Sequence, residues 1–209
     1  MTRSERLEVV AAVLLATATI ATAWAAYQSR QWTGAQAHEY SVGTASRIAE
    51  NRAAALANRQ VQIDVATFVQ WIDARRQGDA ALARFYRTRF RPEFEPAFAS
   101  WLATRPLEDP EAPETPFVMP DYRLAATAEA ERLEATAAAA SERAADANER
   151  AGDYLLAVVL FASALFFAGV STRLEAARVR RVVLGLGCAV LVVTAVWIAT
   201  FPVELTPNG

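Results

Sequence analysis

Val9-Val-Ala-Ala-Val-Leu-Leu-Ala-Thr-Ala-Thr-Ile-Ala-Thr-Ala-Trp-Ala-Ala-Tyr27 contains no charged residue. Two further charge-free runs follow, Tyr154–Thr172 (YLLAVVLFASALFFAGVST) and Val182–Val203 (VVLGLGCAVLVVTAVWIATFPV). A helix needs about 20 apolar residues to cross a bilayer, so each run is long enough to span one. The chain therefore reads as an all-α integral membrane protein with three transmembrane helices, at 9–27, 154–172 and 182–203. The intervening segment, 28–153, is polar and helix-prone, and reads as an extracytoplasmic helical stalk and cap inserted between the first two spans.

Short-loop arginines set the orientation. The tail 1–8 carries Arg3 and Arg6, and the loop 173–181 carries Arg173, Arg178, Arg180 and Arg181. Three spans put both segments on one side, which the positive-inside rule makes cytoplasmic; 28–153 and the tail 204–209 then lie outside. Trp24, Tyr27, Trp32, Tyr154, Trp197 and Phe201 fall near the outer ends of the spans, where amphipathic rings favour headgroup depth. Trp24, Tyr27, Tyr154 and Trp197 are the expected interface anchors. The location implied is a bacterial cytoplasmic membrane, with the N-terminus inside and the C-terminus outside. The four loop arginines set topology and are candidates for contact with anionic lipid, at about 1 kcal/mol each. A cleaved signal peptide is the alternative for the first run, since Ala21-Thr22-Ala23 fits an A-x-A site; its length and its Trp24 and Tyr27 flank favour a retained span.

The 21 basic residues are all arginine, and the formal net charge of −2 gives no support for nucleic-acid binding. Cys188 is the only cysteine and lies inside the third run, so no intrachain disulfide can form. The loop 173–181 and the tail are too short to fold alone, which excludes a cytoplasmic catalytic domain.

Between Gln28 and Gln77 there is no proline, and Val61, Val65, Phe68 and Ile72 mark one apolar helical face. Gly78 reads as the stop and Asp79 as the cap of a short helix to Arg91. Pro92 and Pro96 break it, a second short helix covers about 96–104, and 105–120 reads as a proline-rich strap pinned by Phe117, Val118 and Met119. Asp121 is the expected cap of a long alanine-rich helix from Tyr122 to Asn148 that continues into the second span. Alanine buries little area, so this helix needs a partner, and the helix rising from span one is the obvious one. Antiparallel pairing at helical rise puts together positions whose numbers sum to about 180. It places Glu134 near Arg47, Glu129 near Arg52, and Glu149 or Asp146 near Arg30, with at least one of these pairs expected.

Catalytic chemistry finds few residues. His38 is the only histidine, and no nucleophile motif occurs. His38-Glu39 reads as solvated or interhelical before it reads as a pH-sensitive pair or half of a metal site. No enzymatic activity, metal or cofactor is expected. Glu142, Asp146, Glu149 and Asp153 form an acidic stripe at helical spacing that could be a cation-attracting vestibule; a solvated face balanced by Arg143, Arg150 and Arg30 is the preferred reading. The spans hold no ionisable group besides the Cys188 thiol, which argues against ion-coupled transport. Small residues at Ala12/Ala16, Ala18/Thr22/Ala26 and Ala164/Ala168 are close-packing faces in lipid.

The segment Trp24-Ala25-Ala26-Tyr27-Gln28-Ser29 resembles a W-x-x-Y-Q motif found after the first span in uncharacterised bacterial three-span membrane proteins. The resemblance extends to span order and the helical insertion, and implies no activity, ligand or catalytic residue. The expected function is that of a non-enzymatic membrane protein whose extracytoplasmic domain binds or organises a protein partner, as a homo-oligomer in contact with membrane lipids. The alternative is a homo-oligomeric pore with an acidic vestibule. Phe90, Phe94, Phe98 and Trp101 are the candidate partner patch if exposed, and otherwise the core beneath Val61, Val65 and Phe68, which is the preferred reading.

Overall fold

The computed structural model describes residues 3–204, and its regular secondary structure is all helical, with no strand among the described residues. Three of its helices are long and apolar enough to cross a membrane. Helix α1 runs Arg3–Arg76, α2 Ala80–Arg87, α3 Glu95–Ala103, α4 Ala125–Ser171 and α5 Ala177–Ile198, with a single 3-10 turn at Pro116–Val118. Parts of the tails at 1–2 and 205–209 lie outside the described residues. The chain divides into two compact units, Met1–Val42 with Ala139–Gly209, and Gly43–Ala138.

The first unit is the membrane-type bundle. Two apolar clusters fill it: Ala11, Leu14, Ala168 and Leu184 towards one end, and Ala25, Tyr154, Ala157 and Phe161 towards the other. Gly187 is the point of closest approach between helices. A Cβ there would stand 3.2 Å from Leu14 Cδ2 of α1, and 3.2 Å from Phe167 Cβ and 3.3 Å from Ala164 O of α4. Of the small-residue faces, Ala164, Ala168 and Ala18 are fully buried inside this bundle, whereas Ala12, Ala16 and Ala26 are exposed. Helix α4 continues through Gly152 without a break.

Both ends of the third span differ from the sequence expectation. The α5 helix stops at Ile198, because Pro202 cannot continue a helix and constrains the residue before it; Ala199–Val203 turn instead of completing the span. At the other end the helix begins at Ala177, so Arg178, Arg180 and Arg181 occupy its first turns instead of a loop.

The second unit is organised by an aromatic core. Phe68, Trp71, Phe90, Phe94, Phe98 and Trp101 are buried together, with Phe117, Met119 and Tyr122 packed against them. Edge-on ring pairs recur, including Trp71–Phe98 at 4.8 Å and Phe68–Trp101 at 5.2 Å between centroids, the geometry that ring quadrupoles favour. The inward face of α1 is Ala57, Asp64, Phe68, Trp71 and Ala74; Val65 is exposed, not buried with Phe68 as its spacing suggested. Gly78 adopts a left-handed φ of +76° and Asp79 caps α2 by accepting from Leu82 N at 2.9 Å, as the sequence implied. The proline-rich segment is held by Trp101 Nε1, which donates to Pro113 O at 2.7 Å, and by Phe117 stacked on Phe94. Met119 packs there too, while Val118 is exposed.

Candidate functional site

In the second unit the conditional partner patch is not exposed, and its residues lie where the preferred reading put them, in the core. Phe90, Phe94, Phe98 and Trp101 are at most 7% exposed. Helix α3 and the turn before it fold these rings onto α1, where they remove apolar area from water, so they are core and not a binding surface. Beneath them lies a polar chain that the sequence reading did not single out. Tyr122 Oη donates to Asp64 Oδ2 at 3.0 Å, Arg91 Nη1 donates to the same oxygen at 2.8 Å, and Arg91 Nη2 also pairs with Glu93 Oε2. Glu93 Oε1 then accepts from Ala125 N at 3.2 Å, capping α4. This corrects the expected cap: Asp121 is engaged by Ser100 Oγ at 2.6 Å, and α4 starts four residues after it.

Asp64 is fully buried and its Oδ1 has no hydrogen-bond partner among the described residues. Burial raises its pKa above the usual carboxylate value, opposed by the Tyr122 hydrogen bond and by Arg91. Burial, then the Asp64 hydrogen bond, pushes the Tyr122 phenol up strongly. A sequence signal existed: Asp64 sits three residues after Val61 and four before Phe68, a charge in the middle of an apolar helical face.

In the membrane-type unit, the residues of the W-x-x-Y-Q segment and their neighbours tie three chain segments together. Gln28 is fully buried; its Nε2 donates to Glu204 O at 3.2 Å and its Oε1 accepts from Glu204 N at 3.1 Å. Ser29 Oγ donates to Ala151 O at 2.9 Å, and Tyr154 Oη donates to Pro202 O at 3.1 Å. Tyr154 is therefore an internal clamp and not a lipid-facing anchor, a correction that follows from the chain turning at Ala199–Val203. Trp24 and Tyr27 are exposed, as anchors would be, and Trp197 is half-buried against Phe201. Beyond this clamp, α1 and α4 pair in the expected antiparallel register, Gln36 with Asn148 and Glu39 with Arg143. One ion pair joining the two helices is Glu39–Arg143, at 2.9 Å; Glu129 is taken by Arg132 of its own helix.

A cleft of about 430 Å³ lies beside the clamp, lined among others by Trp32, Glu39, Arg143, Asp146, Glu149 and Arg150. Of the acidic stripe, Asp146 and Glu149 reach it, while Glu142 is exposed and Asp153 half-buried. Arg143 and Arg150 share the same cleft, so its field is mixed and it lacks the single-sign character of a carboxylate vestibule. His38 is exposed. A second cleft, of about 460 Å³, lies at the other end of the bundle, between the start of α1 and the start of α5. It is lined by Arg6, Leu7, Val10, Glu175, Arg180 and Arg181. Arg173 and Arg178 are exposed outside its lining. The chain matches no protein-family model, no curated protein and no solved structure.

Proposed function

We propose that the chain is a non-enzymatic integral membrane protein of the bacterial cytoplasmic membrane whose water-facing helical domain binds or organises a protein partner as a homo-oligomer. The observation that carries this reading is the outer surface of α1 in the Gly43–Ala138 unit. Ile48, Leu56 and Ile63, spaced i, i+8 and i+15, are each about half exposed along one helical face. Most aromatic residues of the same unit are consumed in its core, with Phe85 exposed, so this aliphatic face is an apolar surface open to another chain. Exposed Ala12, Ala16 and Ala26 on α1 supply small-residue surface for close approach of helices from neighbouring copies. The cytoplasmic assignment of the N-terminus is supported by Arg6, Arg180 and Arg181 lining one cleft, which gathers the short-segment arginines at one end of the bundle.

The pore alternative needs several copies, because Gly187 in contact with Leu14, Ala164 and Phe167 leaves no lumen within one bundle. Native mass spectrometry of the full chain released from neutral detergent tests the reading. The wild type should be a homo-oligomer, and Leu56→Asp with Ile63→Asp should dissociate it while far-UV dichroism stays unchanged. A monomeric wild type removes the self-association, and an intact oligomer in the double variant removes this face as its basis.

A further inference from the structure

The cleft at the start of α5 combines features that a helix terminus normally avoids. The α5 N-cap, Ala176, offers no side-chain hydrogen bond, and the first turn contains no acid. Arg178, Arg180 and Arg181 instead put positive charge at the positive end of the helix dipole, where cations are disfavoured and anions are stabilised. Arg180 is the most constrained of them. Its side chain is only 12% exposed, its nearest carboxylate is Glu8 at a loose 3.7 Å, and its Nε is buried with no acceptor among the described residues. A buried guanidinium N–H without an acceptor is costly, and Arg side chains present a fork that suits phosphate oxygens.

That Nε is closed to any outside group, and only the 12% of the side chain still open can meet one. Arg6 and Arg181 flank Arg180 in the cleft, and Leu7 and Val10 form its apolar wall. Glu175 is the acid in the lining and Glu8 stands beside Arg180, so three arginines face two carboxylates there. Arg6 precedes the first charge-free run by three residues, and Arg181 adjoins the third. With the two spans in lipid, the guanidinium groups therefore sit at headgroup depth, Leu7 beside them, and Val10 at the start of the acyl-chain region. We propose that the Arg6–Arg180–Arg181 cleft binds the phosphate of an anionic membrane lipid, with one acyl chain lying along Leu7 and Val10. The bound phosphate accepts from the Arg180 guanidinium, offsets the unfavourable charge at the α5 N-terminus, and ties the first span to the third. The site is independent of the partner reading above and requires only that the spans lie in lipid.

The test uses the full chain in nanodiscs of phosphatidylcholine doped with phosphatidylglycerol, or delipidated in neutral detergent and titrated with either lipid. Retained lipid is read by native mass spectrometry and stabilisation by thermal unfolding. Phosphatidylglycerol should stay bound and raise the unfolding temperature, and phosphatidylcholine should not. Arg180→Gln should weaken the bound lipid at least about tenfold, whereas Arg173→Gln, outside the cleft, should match the wild type. Arg180→Lys, which keeps the charge but loses the fork, should fall between them. Inorganic phosphate at millimolar concentration should fail to displace the lipid. Equal retention of both lipids, an Arg173→Gln loss as large as that of Arg180→Gln, or displacement by phosphate alone would each overturn the proposal, the last by identifying a soluble anion as the ligand. Circular dichroism of each variant separates loss of the site from loss of the fold.

Discussion

Gly185 and Gly187 stand two residues apart on α5 and make a matched pair. A Cβ at Gly185 would meet nothing within 4 Å, whereas one at Gly187 would stand 3.2–3.3 Å from Leu14 Cδ2, Phe167 Cβ and Ala164 O. Leu14 Cδ2 is a side-chain end and can swing aside. Phe167 Cβ and Ala164 O are fixed to the α4 backbone and yield only if the helices separate by a few tenths of an ångström. Glycine-to-alanine replacement gains up to about 1 kcal/mol of helix propensity at either position, so the difference between the two variants isolates the contact. Overpacking a close-packed site costs about 1–3 kcal/mol, and the small displacement required points to the lower half of that range. Gly187→Ala should therefore be less stable than Gly185→Ala by about 1–2 kcal/mol, and Gly187→Leu should be worse still. Titration of the full chain in mixed micelles from mild detergent to dodecyl sulfate, followed by far-UV dichroism and tryptophan fluorescence, measures the difference. Coincident unfolding curves for the two alanine variants would show that α5 does not approach α1 and α4 at this point.

Asp64 makes a pH prediction. Its folded-state pKa is raised from 3.8, so the folded protein holds this proton more tightly than the unfolded chain. The resulting stabilisation is complete below the unfolded value and declines as pH rises from there through the folded value. The stability advantage of the wild type over Asp64→Asn should accordingly be larger at about pH 3 than at about pH 7; denaturant titrations at both values read it, and the opposite trend would show that Arg91 and Tyr122 outweigh burial. At the clamp, Gln28→Ala removes the acceptor for Glu204 N. Amide hydrogen exchange at Glu204 should speed up by roughly tenfold, the equivalent of one lost hydrogen bond of about 1–1.5 kcal/mol, and an unchanged rate would mean that the terminal segment is held by other contacts.

The three spans were legible because charge-free length is a one-dimensional property, and the antiparallel register of α1 with α4 followed from helical rise alone. Gly78 and Asp79 were legible for a similar reason, since stop and cap are encoded within a few residues. What escaped the sequence were the distant contacts that no helical register fixes. Asp121 has the residue type and position of a cap, yet α4 is capped by Glu93, 32 positions before Ala125. Tyr154 has the composition and place of an interface aromatic, but the turn imposed near Pro202 delivers a carbonyl to its hydroxyl. The aromatic cluster was readable, with core as its preferred reading, while the fold-back of α3 onto α1 that buries it left no local mark in the sequence. Val65 and Asp64 exchanged roles for a further reason: two neighbouring residues lie about 100° apart on a helix, and only the completed core decides which of them faces inward.

The two ends of the membrane-type bundle satisfy their polar groups by different means, and that difference bears on function. At the clamp end every named partner is neutral: an amide pairs with the backbone of Glu204, a hydroxyl with Ala151 O, and a phenol with Pro202 O. Such groups can be buried at little net cost once each is hydrogen-bonded, although Trp32 Nε1, packed at the same end, is buried with no partner among the described residues. At the α5 end the groups are guanidinium ions, and the nearest carboxylate to Arg180 stands too far away to form a short bond. A buried charge without a close partner is among the costlier arrangements in a protein. The fold can offset that cost at one end of a small bundle if an anion outside the chain meets the open part of the Arg180 guanidinium. Anionic headgroups are present at that depth in the bilayer without any need for a dedicated soluble ligand.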